Sequence, residues 1–153
     1  MSAEIILAHR GHALSLAPRV RAAEVIEIAA SHGLTPEEML LGELADSDAA
    51  WTWVVNGIPA CMFGIVTNPV LLGGESYPWF ISTDLVDRNA RLFARTCKEL
   101  LPELLAHHPR LVGRVDARYS LSLRWLHWLG AKVGPAEPYG VQQLPFHTFV
   151  IGD

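Results

Sequence analysis

The sequence has little cysteine, no excess of positive charge and no long apolar run, and each shortage excludes a class of protein. Two cysteines, Cys61 and Cys97, in 153 residues are too few for a disulfide-stabilised fold and suit a reduced compartment. The 12 Lys and Arg against 16 Asp and Glu give a net charge of −4, so a nucleic-acid-binding surface is not expected. No apolar run reaches the roughly 18–20 residues that span a bilayer, and the N-terminus lacks the pattern of a secretion signal. We therefore expect a cytoplasmic protein without a membrane partner.

Apolar residues make up 50% of the chain, which is enough to bury a core without disulfides. The sequence contains no internal repeat, low-complexity tract or linker-like segment. His9 and His12 have the spacing of a ligand pair only on a helix, and no third ligand follows them. The sequence thus predicts one domain over residues 1–153 and no metal site.

Local signals predict an alternation of strands and helices. Residues 35–38 read Thr-Pro-Glu-Glu, which combines a capping box with proline at the first helical position. Asn56-Gly57 predicts a type I′ hairpin, Gly73-Gly74 predicts a further turn, and Pro102 should kink or divide a long helix. Strands are predicted at 5–8, 49–55, 58–66, 77–82, 111–115 and 146–151, helices at 17–32, 36–45, 84–108 and 120–129, and an extra strand near 131–134.

The order of these elements is that of an α+β domain with a mixed central sheet. A strand, two helices, an antiparallel meander and two strand–helix crossovers do not form a doubly wound pattern. The first predicted helix carries apolar residues at a helical period, namely Val20, Ala23, Ile26 and Ala30. Residues after the last helix are rich in Pro and Gly and are predicted to form a loop before the final strand.

The most informative segment is a short strand, a turn and a tryptophan-rich helix near the C-terminus. Ser122, Trp125, Leu126 and Leu129 fall at i, i+3, i+4 and i+7 and make one helical stripe. Gly130 can take the left-handed conformation that ends a helix without steric cost. The unit resembles the C-terminal acyl-CoA-side element of the GNAT N-acetyltransferase superfamily, written N-x-x-A-x-x-x-Y-x-x-x-G-F.

The resemblance to GNAT proteins is carried by architecture more than by individual residues. When the unit is aligned on its glycine, Tyr119 takes the Asn position and Ser122 the Ala position. Leu126 takes the Tyr position and Ala131 the Phe position. The element order of the whole chain is also that of the GNAT fold. The resemblance therefore implies a GNAT-like mixed sheet flanked by helices, the architecture of acyl-CoA N-acyltransferases.

In that superfamily acyl-CoA lies where the fourth strand splays from the fifth, and N–H groups at the next helix start bind its pyrophosphate. The family's loop reads Q/R-x-x-G-x-G/A, and segment 83–93 corresponds to it here. Arg88 fits the first position, but Arg91 and Phe93 replace the two small residues. The two arginines can grip phosphates directly, or they form a solvated helix face with Arg95. The resemblance implies acetyl-CoA or another acyl-CoA as cosubstrate, bound by Ile81, Ser82, Thr83, Arg88, Asn89, Ala90, Arg91 and Ser122.

The resemblance also implies a proton donor and a base. Leu126 stands where many members carry the tyrosine that protonates the leaving thiolate, and leucine cannot donate a proton. Tyr119 is the substitute candidate, with packing as a half-buried aromatic as its alternative. Asp84, Asp116 and His147 lie near predicted strand ends and could approach the splay. Asp84 is the candidate catalytic carboxylate, with helix capping as its alternative.

Two functions are open at this point. The first is an acyl-CoA-dependent N-acyltransferase with an unidentified acceptor amine, or a descendant that still binds CoA. The second is a non-catalytic GNAT-fold protein whose tryptophans and loop 138–145 contact a protein partner or a second copy. Segments 78–79, 124–130 and 138–146 also resemble a phage-encoded GNAT-like family of internal virion or head-associated proteins. That narrower resemblance implies the host cytoplasm or the virion as the location.

Overall fold

A seven-stranded mixed sheet with helices on both faces organises the computed structural model, which describes residues 2–67 and 75–152. The strand order is β1-β2-β3-β4-β5-β7-β6. None of the helices in the described part of the chain has both the length and the hydrophobicity of a membrane span. The elements are β1 Ala3–Leu7, α1 Arg10–Leu16, a 3-10 turn Ala17–Arg19, α2 Ala22–His32, α3 Pro36–Asp46, β2 Ala49–Val55, β3 Ile58–Thr67, β4 Glu75–Ser82, α4 Asp84–Arg88, α5 Ala90–His107, β5 Arg110–Asp116, α6 Ser120–Trp128, β6 Lys132–Tyr139 and β7 Leu144–Gly152.

Local signals with a specific backbone geometry predicted their elements correctly. The capping box of α3 is complete, since Glu38 N donates to Thr35 Oγ1 at 3.2 Å and Thr35 N donates to Glu38 Oε1 at 3.0 Å. Asn56 and Gly57 have φ values of 50° and 79° at the β2–β3 turn, as a type I′ hairpin requires. The predicted α+β mixed sheet is confirmed. The predicted turn at Gly73-Gly74 lies outside the described residues.

The observed elements differ from the sequence prediction in four places. The helix predicted at 17–32 starts only at Ala22, because the chain passes through a 3-10 turn at Pro18 and is extended at Val20. An unpredicted helix, α1, precedes that turn. The long helix is divided at Asn89, whose φ of −124° is not helical, and runs unbroken through Pro102. The loop predicted after residue 134 is mostly strand β6, paired with β7.

β4 and β5 lie side by side and parallel, as the GNAT resemblance implies for the fourth and fifth strands. They pair only through Glu75 with Arg110 and Ser76 with Leu111, at the beginning of both strands. Beyond these two pairs the strands separate, while β4 continues its antiparallel ladder with β3 and β5 continues its ladder with β7. The sheet is therefore open along its centre, towards the C-terminal ends of β4 and β5.

Proline in β4 explains why the parallel ladder stops. Thr83 N donates to Ala60 O on β3 at 3.0 Å. Because N–H groups alternate between the two edges of a strand, those of even-numbered residues in β4 point away from β3, towards β5. Position 78 is proline, which has no N–H to offer there. Pro78 thus removes the next bond that a continued β4–β5 ladder would need.

Phe93 belongs to the core on the sheet face covered by α5 and α6. It is only 6% exposed. Its ring centroid lies 5.2 Å from that of Trp53, 5.5 Å from that of Phe80 and 5.3 Å from that of Trp125. Aromatic pairs at these distances contribute beyond the burial of their area. The residue that replaces a small side chain of the GNAT loop is thus a structural aromatic.

We expect Phe93→Ala to lower the free energy of unfolding by about 3–5 kcal/mol, because the truncation leaves a cavity among three packed rings. Urea denaturation followed by circular dichroism measures the change. Phe80→Ala is the matched control, since Phe80 is 38% exposed and its truncation should cost under about 2 kcal/mol. Equal losses for the two variants would contradict a core role specific to Phe93.

Candidate functional site

A cavity of about 530 Å³ lies where β4 and β5 separate. Its walls come from α2 and α3 on one face of the sheet, from α5 and α6 on the other, and from β4, β5 and β7 between them. Most of the lining is apolar, as is typical of small-molecule sites. The polar groups that reach it include Glu24, Glu27, Glu43, Tyr119 and Ser122.

Glu24 on α2 fixes the end of β4. Its carboxylate accepts hydrogen bonds from Ser82 N at 2.9 Å and from Ser82 Oγ at 2.5 Å. Arg21 Nε lies 2.8 Å from the same carboxylate, and Arg21 Nη1 lies 2.8 Å from Asp87 on α4. Burial raises the pKa of Glu24, while Arg21 and Ser82 act to lower it. With its oxygens engaged, Glu24 holds α2, β4 and α4 together.

Glu27, one turn further along α2, has a different environment. Its Oε2 accepts a hydrogen bond from Asp116 N at 3.2 Å. Burial raises the pKa of Glu27 to about 7, because desolvation and the neighbouring charges of Glu24 and Asp116 outweigh that hydrogen bond. A carboxylate that changes protonation near neutral pH is suited to accept a proton from a bound ligand.

The prediction from sequence did not select Glu24 or Glu27, because it assigned the buried face of α2 from the periodicity of its apolar residues. Ile26, part of that predicted period, is 55% exposed, whereas Glu24 is 5% exposed. The helix therefore turns its carboxylates towards the cavity and part of its apolar period towards solvent. One local signal could have indicated these glutamates: Glu24 and Glu27 are three residues apart and so lie on the same side of the helix, next to Ile28, which lines the cavity.

Tyr119 immediately precedes α6 and reaches the cavity beside Ser122. The preceding turn is fixed by Asp116, whose carboxylate accepts hydrogen bonds from Arg118 N at 2.9 Å, Nε at 3.0 Å and Nη2 at 2.7 Å. Burial and the nearby Glu24 carboxylate raise the pKa of Tyr119 to about 12, against the lowering effect of Arg21 and of the hydrogen bond with Ser122. Tyr119 thus keeps its proton at neutral pH.

Asp84 lies away from this cluster. It is exposed on α4 and pairs with Arg88 Nη2 at 2.6 Å, which holds the pKa of the carboxyl below its usual value. The helix cap is the neighbouring Thr83, whose Oγ1 accepts from Leu85 N at 3.3 Å. The structure therefore does not bring Asp84 to Tyr119, and its predicted catalytic role has no support from geometry.

The backbone N–H groups of residues 81–83, predicted to bind the cosubstrate, already have partners within the protein. The ladder with β3 uses the edge of β4 on which the N–H groups of Ile81 and Thr83 lie, and Ser82 N donates to Glu24. The same alternation points the N–H of Phe80 towards the cleft. Phe80, which the sequence reading did not select, is therefore the backbone donor of β4 that faces the opening.

Arg88, Asn89, Ala90 and Arg91, four of the predicted cofactor-binding residues, come together at a second hollow. This hollow lies at the junction of α4 and α5 and is also lined by Arg95. The first N–H groups of a helix have no intrahelical partners, so the start of α5 adds backbone donors to these guanidinium groups. Asp87 also lines the hollow and Arg88 is paired with Asp84, so Arg91, Arg95 and the first N–H groups of α5 are the groups that remain to bind an anion.

The two cysteines are not candidates for a nucleophile. Cys61 is fully buried, and burial raises the pKa of its thiol well above the usual value. Cys97 lines the cavity, and burial raises its pKa to about 12. Thiolate is the reactive form of cysteine, so both side chains are inert at neutral pH.

The chain matches no family profile and no curated protein sequence. Its structure is similar to that of the ribosomal-protein-alanine N-acetyltransferase from Brucella melitensis, with a TM-score of 0.72, 13% identity and coverage of 98% of this chain and 99% of the other. The ribosomal-protein-S18-alanine N-acetyltransferase from Escherichia coli gives a TM-score of 0.67, 15% identity and coverage of 98% and 93%.

A GNAT-family acetyltransferase from Streptococcus pneumoniae gives a TM-score of 0.63 at 14% identity, covering 98% of both chains. None of these three proteins is of phage origin, so the narrower resemblance to phage head-associated proteins gains no support. Identities this low carry no information about substrate. The similarity extends over nearly the full length of each chain, and it shows that this protein has the GNAT fold.

Proposed function

We propose that the protein is an acyl-CoA-dependent N-acyltransferase. One observation carries the proposal: the cavity at the β4–β5 opening of a GNAT fold brings together a carboxylate with a pKa near 7, Glu27, and a protonated tyrosine, Tyr119. Transfer of an acyl group to an amine needs one group to accept a proton and another to donate one. Both are present on the walls of a single cavity.

The residues at the α4–α5 hollow fit the anionic end of acyl-CoA. Arg88, Arg91 and Arg95 line it, and guanidinium groups bind phosphate oxygens by charge-assisted hydrogen bonds. In the GNAT loop, glycines let the backbone approach the phosphates closely; here arginine side chains bind the phosphates instead. When bound, the cosubstrate supplies an acyl group activated as a thioester.

Glu27 acts as the general base in this proposal. It takes one proton from the ammonium form of the acceptor, so that the nitrogen can attack the acyl carbon. Phe80 N–H lies on the cleft edge of β4 and donates to the carbonyl oxygen as negative charge develops there. Glu24 holds the end of β4 in place through Ser82 and so positions this donor.

Tyr119 acts as the general acid. It gives its proton to the leaving sulfur as the carbon–sulfur bond breaks, and it recovers a proton from the nitrogen of the new amide. The net proton released is the one that Glu27 accepted and passes to solvent. This role replaces the tyrosine that is absent at Leu126, and Ser122 lies on the same cavity wall as the phenol.

A second candidate function is a non-catalytic protein that has kept the fold. Phe93 favours it, because a buried aromatic stands where the family's loop carries a small residue next to the cosubstrate. Fold alone does not decide between the two. Calorimetric titration of the protein with acetyl-CoA does: a Kd weaker than about 1 mM supports the non-catalytic function.

We expect Arg88→Ala with Arg91→Ala to weaken acetyl-CoA binding at least about tenfold, since hydrogen bonds to charged groups contribute about 1.5–3 kcal/mol each. Calorimetry at fixed ionic strength measures the loss. The control is Arg10→Ala with Lys132→Ala, which removes two exposed charges from α1 and β6. If both double variants bind equally well, the phosphate assignment is wrong.

We expect Glu27→Gln to lower kcat/KM by about 10²–10⁴-fold and to raise stability at alkaline pH. Because the folded-state pKa of Glu27 is raised to about 7, the ionised carboxylate destabilises the folded protein increasingly as pH rises from about 4.5 to above 7. The variant should therefore have a higher Tm than wild type at pH 8 and nearly the same Tm at pH 5.

The control for this prediction is Glu37→Gln, which removes a carboxylate exposed on α3. It should change neither kcat/KM nor the pH dependence of Tm. Wild-type kcat/KM should rise with pH through about 7 and then level off. A Glu27→Gln variant that keeps wild-type activity would exclude Glu27 as the base.

A further inference from the structure

We infer that the acceptor is a small primary amine with an apolar body, bound as its ammonium ion, and not the N-terminus of a protein. The inference rests on the proposed function and adds the class of acceptor. It is carried by a contact between the β6–β7 hairpin and α2 that closes one side of the cavity, and by the charge and polarity of the cavity itself.

The tip of the β6–β7 hairpin is bonded to the C-terminal end of α2. Val141 N donates to Ser31 O at 3.1 Å, and Gln142 N donates to Ala30 O at 3.2 Å. Gln142 Nε2 adds a contact of 3.5 Å to Ala29 O. The two main-chain bonds satisfy carbonyl groups that the end of a helix leaves without partners, whereas Ala29 O also accepts from Gly33 N at 3.0 Å within the helix cap. The hairpin tip is thus joined to the helix over three consecutive residues.

Gly140 makes this approach possible. Its φ is 77°, and a Cβ at this position would lie 2.6 Å from Ser31 Cα and 2.6 Å from Ser31 O. Both atoms belong to the backbone of α2, so they cannot move aside as a flexible side chain would. Only glycine allows the hairpin to lie this close to α2.

The joined elements are both walls of the cavity. Ser31 and His32 of α2 line it, as do Tyr139 and Phe146 of the hairpin. Main-chain hydrogen bonds close the side of the cavity between α2 and the hairpin tip, so the residues that follow the first residue of a polypeptide acceptor cannot leave there. The cavity volume of about 530 Å³, which the acceptor shares with the acyl end of the cosubstrate, suits a complete small molecule.

The charges that face the cavity favour a cation. Glu27 and Glu43 line it, as does Glu24, whose charge is already compensated by Arg21. Its one lining guanidinium, within the described residues, is that of Arg114, which lies 4.2 Å from the ring centroid of Tyr139. An ammonium group therefore finds carboxylates, whereas an anionic acceptor is repelled by them.

The other residues that line the cavity favour an acceptor whose carbon skeleton is apolar. Ile28, Met39, Trp79, Leu111 and Phe149 are among the residues that line it. A polyhydroxylated or polycationic acceptor would lose its hydration there without gaining enough hydrogen bonds in exchange. An alkylamine or arylalkylamine buries its carbon skeleton and keeps its single charge beside Glu27.

Binding without cosubstrate gives the first test. Trp53, Trp79 and Trp125 line the cavity, so intrinsic fluorescence reports its occupation. We expect phenylethylamine and hexylamine to change the emission and to raise Tm, and ethanolamine and an alanine-starting tetrapeptide to do neither at up to about 10 mM. Binding of the tetrapeptide as tight as that of phenylethylamine would overturn the inference.

Turnover gives the second test, measured as thiol release from acetyl-CoA with each of the four acceptors. Phenylethylamine or hexylamine should exceed the tetrapeptide in kcat/KM by at least about tenfold. Turnover of the tetrapeptide alone contradicts this inference and leaves the proposed function intact. Absence of acetyl-CoA binding contradicts the proposed function, and the fluorescence titration then still decides which class of ligand the cavity accepts.

Gly140→Ala tests the closing contact directly, since its Cβ must push the hairpin tip away from α2. The matched control is Gly57→Ala, because Gly57 has φ of 79° in another hairpin and no atom within 4 Å of an added Cβ. We expect the tetrapeptide-to-phenylethylamine ratio of kcat/KM to rise at least about tenfold in Gly140→Ala and to stay unchanged in Gly57→Ala. An unchanged ratio in folded Gly140→Ala overturns the role of the contact. If Gly140→Ala does not fold, the wild-type titration and turnover decide the inference.

Discussion

The separation of β4 from β5 is the constraint on which the rest of the structure depends. Their parallel ladder ends after two residue pairs, because Pro78 offers no N–H to continue it. Further along β4, Ser82 gives its N–H to Glu24 and not to a strand. The cavity, its apolar lining and the edge on which Phe80 presents its backbone all follow from this opening.

Burying carboxylates beside that opening costs desolvation free energy, and the protein offsets it differently at Glu24 and at Glu27. Glu24 is paired with Arg21 and bonded to Ser82, so its charge is compensated inside the protein. Glu27 has no such cation among its described partners and receives one hydrogen bond from Asp116. Its pKa rises to about 7 as a result. The same helix thus carries one structural and one titratable carboxylate, three residues apart.

The sequence by itself determined those elements whose signal is local. The capping box at Thr35 and Glu38 and the turn at Asn56 and Gly57 depend on residues that are neighbours in the chain, and both were predicted correctly. The element order predicted the α+β sheet, and the GNAT resemblance of the unit around Gly130 implied the opening between the fourth and fifth strands. Departures from the family's loop were also visible, although the sequence could not show that Phe93 is part of the core.

Only the tertiary structure decided which groups meet at the cavity. Glu24 contacts Ser82 across 58 residues and Glu27 contacts Asp116 across 89 residues, and no periodicity in α2 predicts either contact. The sequence predicted Gly140 only as part of a loop, and its close approach to Ser31 in the structure shows why glycine is required there. Contacts of this kind depend on how distant segments pack, which local propensity does not encode. For that reason the sequence could select Tyr119 and the arginines at 88 and 91 as candidates, whereas the proposed base, Glu27, and the contact at Gly140 became visible only in the structure.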